Sequence, residues 1–174
     1  MKIGITGKSG SGKTTYSKIY AEKTGYAVIN IDEISHHALE LPHIKAKLIE
    51  CFGENIISEN SINRKLLGDL VFTNRHLYEQ MSDVIWNEVK NIIDFLLREN
   101  ENVIIDWILL PHTHYWKICD KKILVTVSDE IRKQRVLQRD NITEEYFIKR
   151  EQASIDYDDF AFDEIILGIG LNKE

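Results

Sequence analysis

The 174 residues predict an α/β fold, a parallel β-sheet with helices on both faces. Three observations lead there. Five short runs are almost continuously apolar, as strands buried on both faces are. Stretches with apolar residues at helical spacing separate those runs. A glycine-rich turn joins the first run to the first helical stretch.

Lys2–Thr6 is the first strand, and it runs into Gly7. Lys13 to Thr24 reads as a helix with Tyr16, Ile19 and Tyr20 on one face and Gly25 at its C-cap. Ala27–Ile31 is the second strand, followed directly by Asp32. Residues from about 34 to 100 are too many for a single crossover. They are helix-rich and predict a helical subdomain over the carboxyl edge of the sheet. Within it, Val84, Ile85, Val89, Ile92, Ile93 and Leu96 keep helical spacing behind a Ser82 N-cap. Asn102–Ile105 is the third strand, ending at Asp106, and Lys122–Val127 is the fourth. Ser128 caps a helix running from about Glu130 to Asp140. Asn141 and Ile142 form a turn, and Thr143 caps a further helix that carries Arg150. The segment from about 129 to 155 reads as a lid, and Glu164–Leu167 is the fifth strand. No repeat, linker or low-complexity tract divides residues 1–174, which read as one domain.

Composition narrows the function. Lys and Arg total 22 against 28 Asp and Glu, a net charge of −6, so no global basic field draws in a nucleic acid. An anion must be held by a local site. Cys51 and Cys119 could form one bridge, but they lack partner spacing, and a reducing cytoplasmic setting is the simpler reading. Neither a signal peptide nor a membrane-spanning apolar run is visible.

Gly7-Lys8-Ser9-Gly10-Ser11-Gly12-Lys13-Thr14 fits G-x-x-x-x-G-K-[ST] at every specified position, between a strand and a helix. Glycines let the backbone wrap a phosphate, inward N–H groups bind it, and the helix N-terminus adds positive potential. Lys8 to Thr15 is the predicted ATP cradle, with Lys13 on the β- and γ-phosphates and Thr14 on Mg²⁺. The fold is therefore P-loop NTPase-type, a doubly wound five-stranded parallel sheet with a helical acceptor subdomain and a lid.

Asp32 and Asp106 end predicted strands at the edge where open α/β sheets bind ligands. Each admits two readings. Asp32 is a base for an attacking hydroxyl or a helix N-cap. Asp106 orients Mg²⁺, directly or through water, or is likewise a cap. Arg132, Arg135 and Arg139 fall on one side of their helix, with Glu130 and Asp140 balancing little of the charge. Such a stripe suits a phosphate clamp. Trp107, next to Asp106, is placed as a wall of the acceptor pocket, whereas Trp86 and Trp116 read as core. His112 and His114 lack metal-ligand companions, and His36, His37 and His43 read as surface, as does the run Asp156–Asp163.

With those residues in hand, the chain resembles the dephospho-CoA kinase family from Lys2 to about Gly170. The pieces follow in family order: Ile5-Thr6-Gly7 into the phosphate loop, Ile31-Asp32, Phe52-Gly53, Ile62-Asn63-Arg64 with Leu67, and Val71-Phe72. Then come Asp106 with Leu109-Leu110, Gln134-Arg135 with Arg139-Asp140, and Arg150 with Gln152. Asn30 stands where the family has an Asp, and the proline of the Asp106 run is absent. The resemblance implies transfer of the ATP γ-phosphate to the ribose 3′-hydroxyl of dephospho-CoA, the final step of coenzyme A biosynthesis. It implies Asp32 as base, Lys13 and Arg139 beside it in catalysis, and Arg135 and Arg139 in the lid. Arg64 falls in the acceptor region. The residues alone also allow a kinase for a nucleoside or nucleotide, or a nucleotide-binding protein with little turnover, and say nothing of oligomeric state.

Overall fold

The computed structural model describes residues 1–71, 74–152 and 154–168. Phe72 and Gly170, which carry part of the resemblance, and one residue of the lid segment, position 153, lie outside the described residues. In chain order the elements are β1 (Lys2–Thr6), α1 (Lys13–Thr24), β2 (Ala27–Asn30), α2 (Ile31–Ala38), α3 (Pro42–Phe52), β3 (Ile57–Ser58) and β4 (Ser61–Ile62). They continue with α4 (Arg64–Val71), α5 (Arg75–Glu99), β5 (Val103–Asp106), α6 (His114–Lys117), β6 (Lys121–Thr126), α7 (Asp129–Asp140), α8 (Glu144–Gln152) and β7 (Glu164–Leu167). The chain divides into two compact units, Met1–Asn30 with Asn100–Glu174, and Ile31–Glu99.

The first unit is a five-stranded sheet in the order β2-β5-β1-β6-β7. Every neighbouring pair is parallel. The five apolar runs are its five strands. Alternation along β1 shows both faces covered. Ile3 and Ile5 are fully buried with Ile104, Ile123 and Val125, and Tyr16 and Tyr20 of α1 pack on that cluster. Gly4 points to the other face, where a Cβ would come within 2.9 Å of Cys119 Sγ and of Trp116. The segment around α6 thus lies directly on the strand, and only a residue without a side chain permits that approach.

Helix α1 begins and ends where its sequence signals place it, with Gly25 at φ 75° closing it. Ser128 caps α7 by accepting a hydrogen bond from the Ile131 N–H, Asn141 turns the chain at φ 49°, and Thr143 accepts from the Tyr146 N–H. Two boundaries differ from expectation. β2 stops at Asn30, and Ile31 opens α2 instead of ending the strand. Ile31 and Ala38 are the buried positions of that helix, seven residues apart and so on one face, and Asp32 and Glu33 suit its positive N-terminal end. Ser82 caps nothing, because α5 runs unbroken from Arg75. Its cap is Asn74, whose side-chain oxygen accepts from the His76 and Leu77 N–H groups at 3.0 and 3.3 Å.

The second unit is mainly helical. Leu39, Ile44, Leu48, Ile56, Ile62, Leu67 and Val71 form its core, and Met81, Val84 and Ile85 of α5 pack against it. The pattern does not foretell the β3–β4 hairpin. Glu59 and Asn60 turn it with φ of 49° and 65°, the left-handed pair that two-residue hairpin turns require.

Candidate functional site

The loop from Gly7 to Gly12 leaves β1 and enters α1. Gly12 stands at the N-cap with φ 94°, and no side chain caps the helix, so its first N–H groups are open to an anion. At Gly10, φ is 82°, and a Cβ would lie 2.9 Å from the Arg132 carbonyl oxygen and 3.0 Å from Val136. The loop therefore rests against α7 through bare backbone.

A cleft of about 370 Å³ opens beside the loop, lined by Lys8, Gly10, Gly12, Lys13, Thr14, Thr15, Arg135, Gln138 and Arg139. Four of these are cations and none is a carboxylate, which makes the cleft a local anion site in a chain of net charge −6. Its volume falls in the range of small-ligand sites. Gln138 is a lining residue that the sequence reading omitted. Its position between Arg135 and Arg139 on one helical face was the available signal.

Each arginine of the α7 stripe is held differently. Arg135 donates to the Gly10 and Gly168 carbonyl oxygens, both at 3.2 Å. Arg139 donates to Ser9 Oγ at 3.0 Å and to both carboxylate oxygens of Asp140. Arg150 reaches back from α8 to Asp140 at 2.7 Å. The Arg139 guanidinium, with help from Arg150, pulls the Asp140 carboxyl down to about 2. Arg132 is buried and bonded to Asp129, Glu151 and the Ser9 carbonyl. The expectation that little acidity balances the stripe is thus corrected: Asp129, Asp140 and Glu151 all engage it, and Glu151 comes from another helix.

Ser9 meets the stripe through both its oxygens. Ser11 turns away from the cleft, is buried, and lines a second cavity of about 220 Å³ with Thr126, Arg132 and Tyr157. Asp106 is the last residue of β5, buried, in register with Ile5 of β1 and Asn30 of β2. Trp107 follows, half-buried, and its N–H donates to the Ile5 carbonyl at 3.2 Å. Asp32 lies in the first turn of α2 and Arg64, exposed, opens α4, both in the second unit. Within Asp156–Asp163 the surface reading fails at Tyr157. Its ring is buried, its hydroxyl donates to the Ile108 carbonyl at 2.8 Å, and it accepts from Thr6 Oγ1 at 3.1 Å. The two histidines of the 112–114 stretch pack on rings, His112 edge-on to Phe160 and His114 against Tyr115.

No group of three or more metal-ligating side chains occurs among the described residues. Mg²⁺ in phosphoryl-transfer sites needs only one or two protein oxygens beside the phosphates and water. The Thr14 hydroxyl on the cleft and the Asp106 carboxylate at the strand end are oxygen donors of that kind, so this chain's residues fit the ion.

A basic cleft on a glycine loop, set at the carboxyl edge of a five-stranded parallel sheet, defines a P-loop NTPase-type protein with a phosphate-binding site. Solved structures share that fold. TT1252 from Thermus thermophilus superposes with a TM-score of 0.81 at 25% identity, over 95% of this chain and 86% of that one. A dephospho-CoA kinase from Campylobacter jejuni shares the fold, with a TM-score of 0.54 at 21% identity, over 94% of this chain and 86% of that one. Residues 1–161 match the family model described as dephospho-CoA kinase (CoaE), and the chain belongs to that family. Among curated relatives, the dephospho-CoA kinase of Fusobacterium nucleatum is 37% identical over 149 residues, covering 83% of this chain and 76% of the relative. That of Bacillus licheniformis is 30% identical, covering 99% and 90%. The chain is accordingly an ATP-dependent kinase of dephospho-CoA in coenzyme A biosynthesis. No helix among the described residues is long and apolar enough to cross a membrane.

Proposed function

We propose that the cleft between the phosphate loop and α7 holds the ATP triphosphate, and that Asp32 takes the proton from the 3′-hydroxyl of dephospho-CoA as it attacks the γ-phosphorus. The bond from that phosphorus to the β–γ bridging oxygen breaks, ADP leaves, and the phosphoryl ends on the 3′-oxygen. The observation that carries the reading is the charge of the cleft: Lys8, Lys13, Arg135 and Arg139 line it with no carboxylate among them. Phosphoryl transfer asks of a protein mostly position and charge neutralisation, and this lining supplies both.

Lys13 neutralises charge that develops on the β–γ bridge. Arg139 reaches the transferring phosphoryl when it gives up Ser9. Thr14 and Asp106 would hold Mg²⁺, which would supply charge neutralisation at the phosphates. Asp32 is supported as the base by chain geometry. It is two residues beyond Asn30, the last residue of β2, so its Cα lies within about 7 Å of the strand end. The Ile31–Glu99 unit, with Arg64 as a contact, receives the acceptor, and Trp107 stands beside Asp106 at the end of β5 in the other unit. The segment 129–155 closes over the nucleotide and keeps water from the γ-phosphate. Two free cysteines and nucleotide substrates support a cytoplasmic setting, and the net charge of −6 argues against a nucleic-acid partner.

The Asp32→Asn variant tests the assignment of the base. A base that acts only in the transition state contributes about 10²-fold or more. The expected result is a fall in kcat of about that size with the KM for ATP within about threefold of wild type. Loss confined to KM, or an unchanged kcat, would leave Asp32 as a helix-terminus residue only.

A further inference from the structure

Arg132 is a guanidinium with 3% of its surface exposed, and all five of its N–H donors are engaged. Nε and Nη2 donate to Asp129 Oδ1 at 3.1 and 2.8 Å. Nη1 donates to Glu151 Oε1 at 3.2 Å, and Nη2 to Glu151 Oε2. The remaining donation, from Nη1 at 3.1 Å, goes to the Ser9 carbonyl of the phosphate loop. One side chain thus joins α7, α8 and the loop.

The Ser9 carbonyl shares its peptide plane with the Gly10 N–H. In a trans peptide the two point in opposite directions, and the described backbone has no cis bond. Holding the oxygen on Arg132 therefore turns the Gly10 N–H away from α7's guanidinium, and Gly10 lines the phosphate cleft. Released, the same peptide can rotate and present its oxygen to the phosphates, where the negative end of the carbonyl dipole meets anionic oxygens. Glycine at position 10, with φ 82°, offers little resistance to such a rotation. The guanidinium itself is held by Glu151, which stands on α8, 19 residues away in sequence.

We propose that Arg132 is a positioning residue for the phosphate loop, and that Glu151 makes this positioning conditional on α8 being docked against α7. The inference rests on the cleft being the ATP site. It gives the α7–α8 hairpin a second task. Besides covering the nucleotide, its docked form sets the loop's amides for phosphate, so closure and cradle formation are one event.

Nucleotide affinity and the Gly10 amide resonance, followed by titration of ADP into ¹⁵N-labelled protein, test it. In wild type the Gly10 N–H signal should move strongly as phosphate binds. The Arg132→Gln single variant leaves Asp129 and Glu151 facing a neutral group and is expected to lose stability. Arg132→Gln combined with Glu151→Gln removes the more buried of the two stranded charges, leaving only the well-exposed Asp129. The expected result is recovered thermal stability, with ADP still bound about tenfold or more weakly and the Gly10 shift lost. Glu151→Gln alone should weaken ADP and reduce the Gly10 shift, while Arg132→Lys, whose ammonium cannot span all three acceptors, should keep affinity only in part. Wild-type protein that binds no nucleotide overturns the ATP reading and this inference together. Wild-type binding with normal affinity and a normal Gly10 shift in the double variant overturns this inference alone.

Discussion

Thr6, the last residue of β1, and Tyr157, from the connection into β7, share one acceptor just below the phosphate loop. Tyr157 Oη donates to the Ile108 carbonyl at 2.8 Å. The Thr6 hydroxyl has two acceptors at 3.1 Å, that same carbonyl and Tyr157 Oη. Tyr157→Phe removes one donor from Ile108 but leaves Thr6 free to commit its proton there. The net loss is one hydrogen bond, about 1 kcal/mol. Thr6→Val removes the other donor and costs about the same, because Tyr157 remains. Together the two substitutions strip the carbonyl of both hydroxyls beside a fully buried β1 position. A buried acceptor left without a partner costs about 1–3 kcal/mol beyond the bonds themselves. The double variant should therefore lose about 3–5 kcal/mol, a coupling of about 1–3 kcal/mol. Urea unfolding followed by tryptophan fluorescence and far-UV circular dichroism measures it, with each single variant lowering Tm by about 2–4 °C. Strict additivity, or a single variant that costs more than about 3 kcal/mol, would refute the redundancy on which the estimate rests.

Three further outcomes follow from the site and its surroundings. Lys13→Ala should lower kcat by about 10²-fold or more, since charge developing at the β–γ bridge loses its fixed partner, and single-turnover kinetics would expose wild-type chemistry if that is wrong. Under native conditions at pH 8 a thiol reagent should modify Cys51, which is exposed, and spare Cys119, whose burial pushes its thiol up to about 12; two modified thiols without denaturant would contradict the packing of Gly4 on Cys119. Asp140 is held down to about 2 by Arg139 and Arg150, so its contribution is full above the ordinary carboxylate value near 4 and fades as pH falls toward 2. With both arginines well exposed that contribution is about 1 kcal/mol or less, and Asp140→Asn should remove it at neutral pH while flattening that acid limb of the stability profile.

The parallel sheet was legible because its strands are local signals, each run buried on both faces by whatever packs above and below it. The phosphate loop was legible for a related reason. Backbone conformation at Gly10 and Gly12 and the uncapped start of α1 are determined within a few residues. What stayed hidden depends on partners remote in sequence. Nothing near Arg132 in sequence indicates that Glu151 pairs with it, and only the packing of α8 on α7 brings them together. Tyr157 sits among four aspartates and reads as solvated, yet its ring and hydroxyl are taken up by residues some 50 and 150 positions earlier. The start of α5 was misread for a different reason. Leu77 and Met81 continue the apolar face of Val84 and Ile85 toward the N-terminus, and Asn74 is as good a cap as Ser82. Both caps obey the same rule, and packing against the Ile31–Glu99 core selects the longer helix.

The most direct test of the account is ADP release from Mg·ATP with and without dephospho-CoA, with the mass and position of the added phosphate determined on the product. The expected result is release that depends on dephospho-CoA and a product heavier by one phosphate carried on the ribose 3′-oxygen. ATP bound in the cleft with no response to dephospho-CoA, or phosphate found on another acceptor, would contradict it.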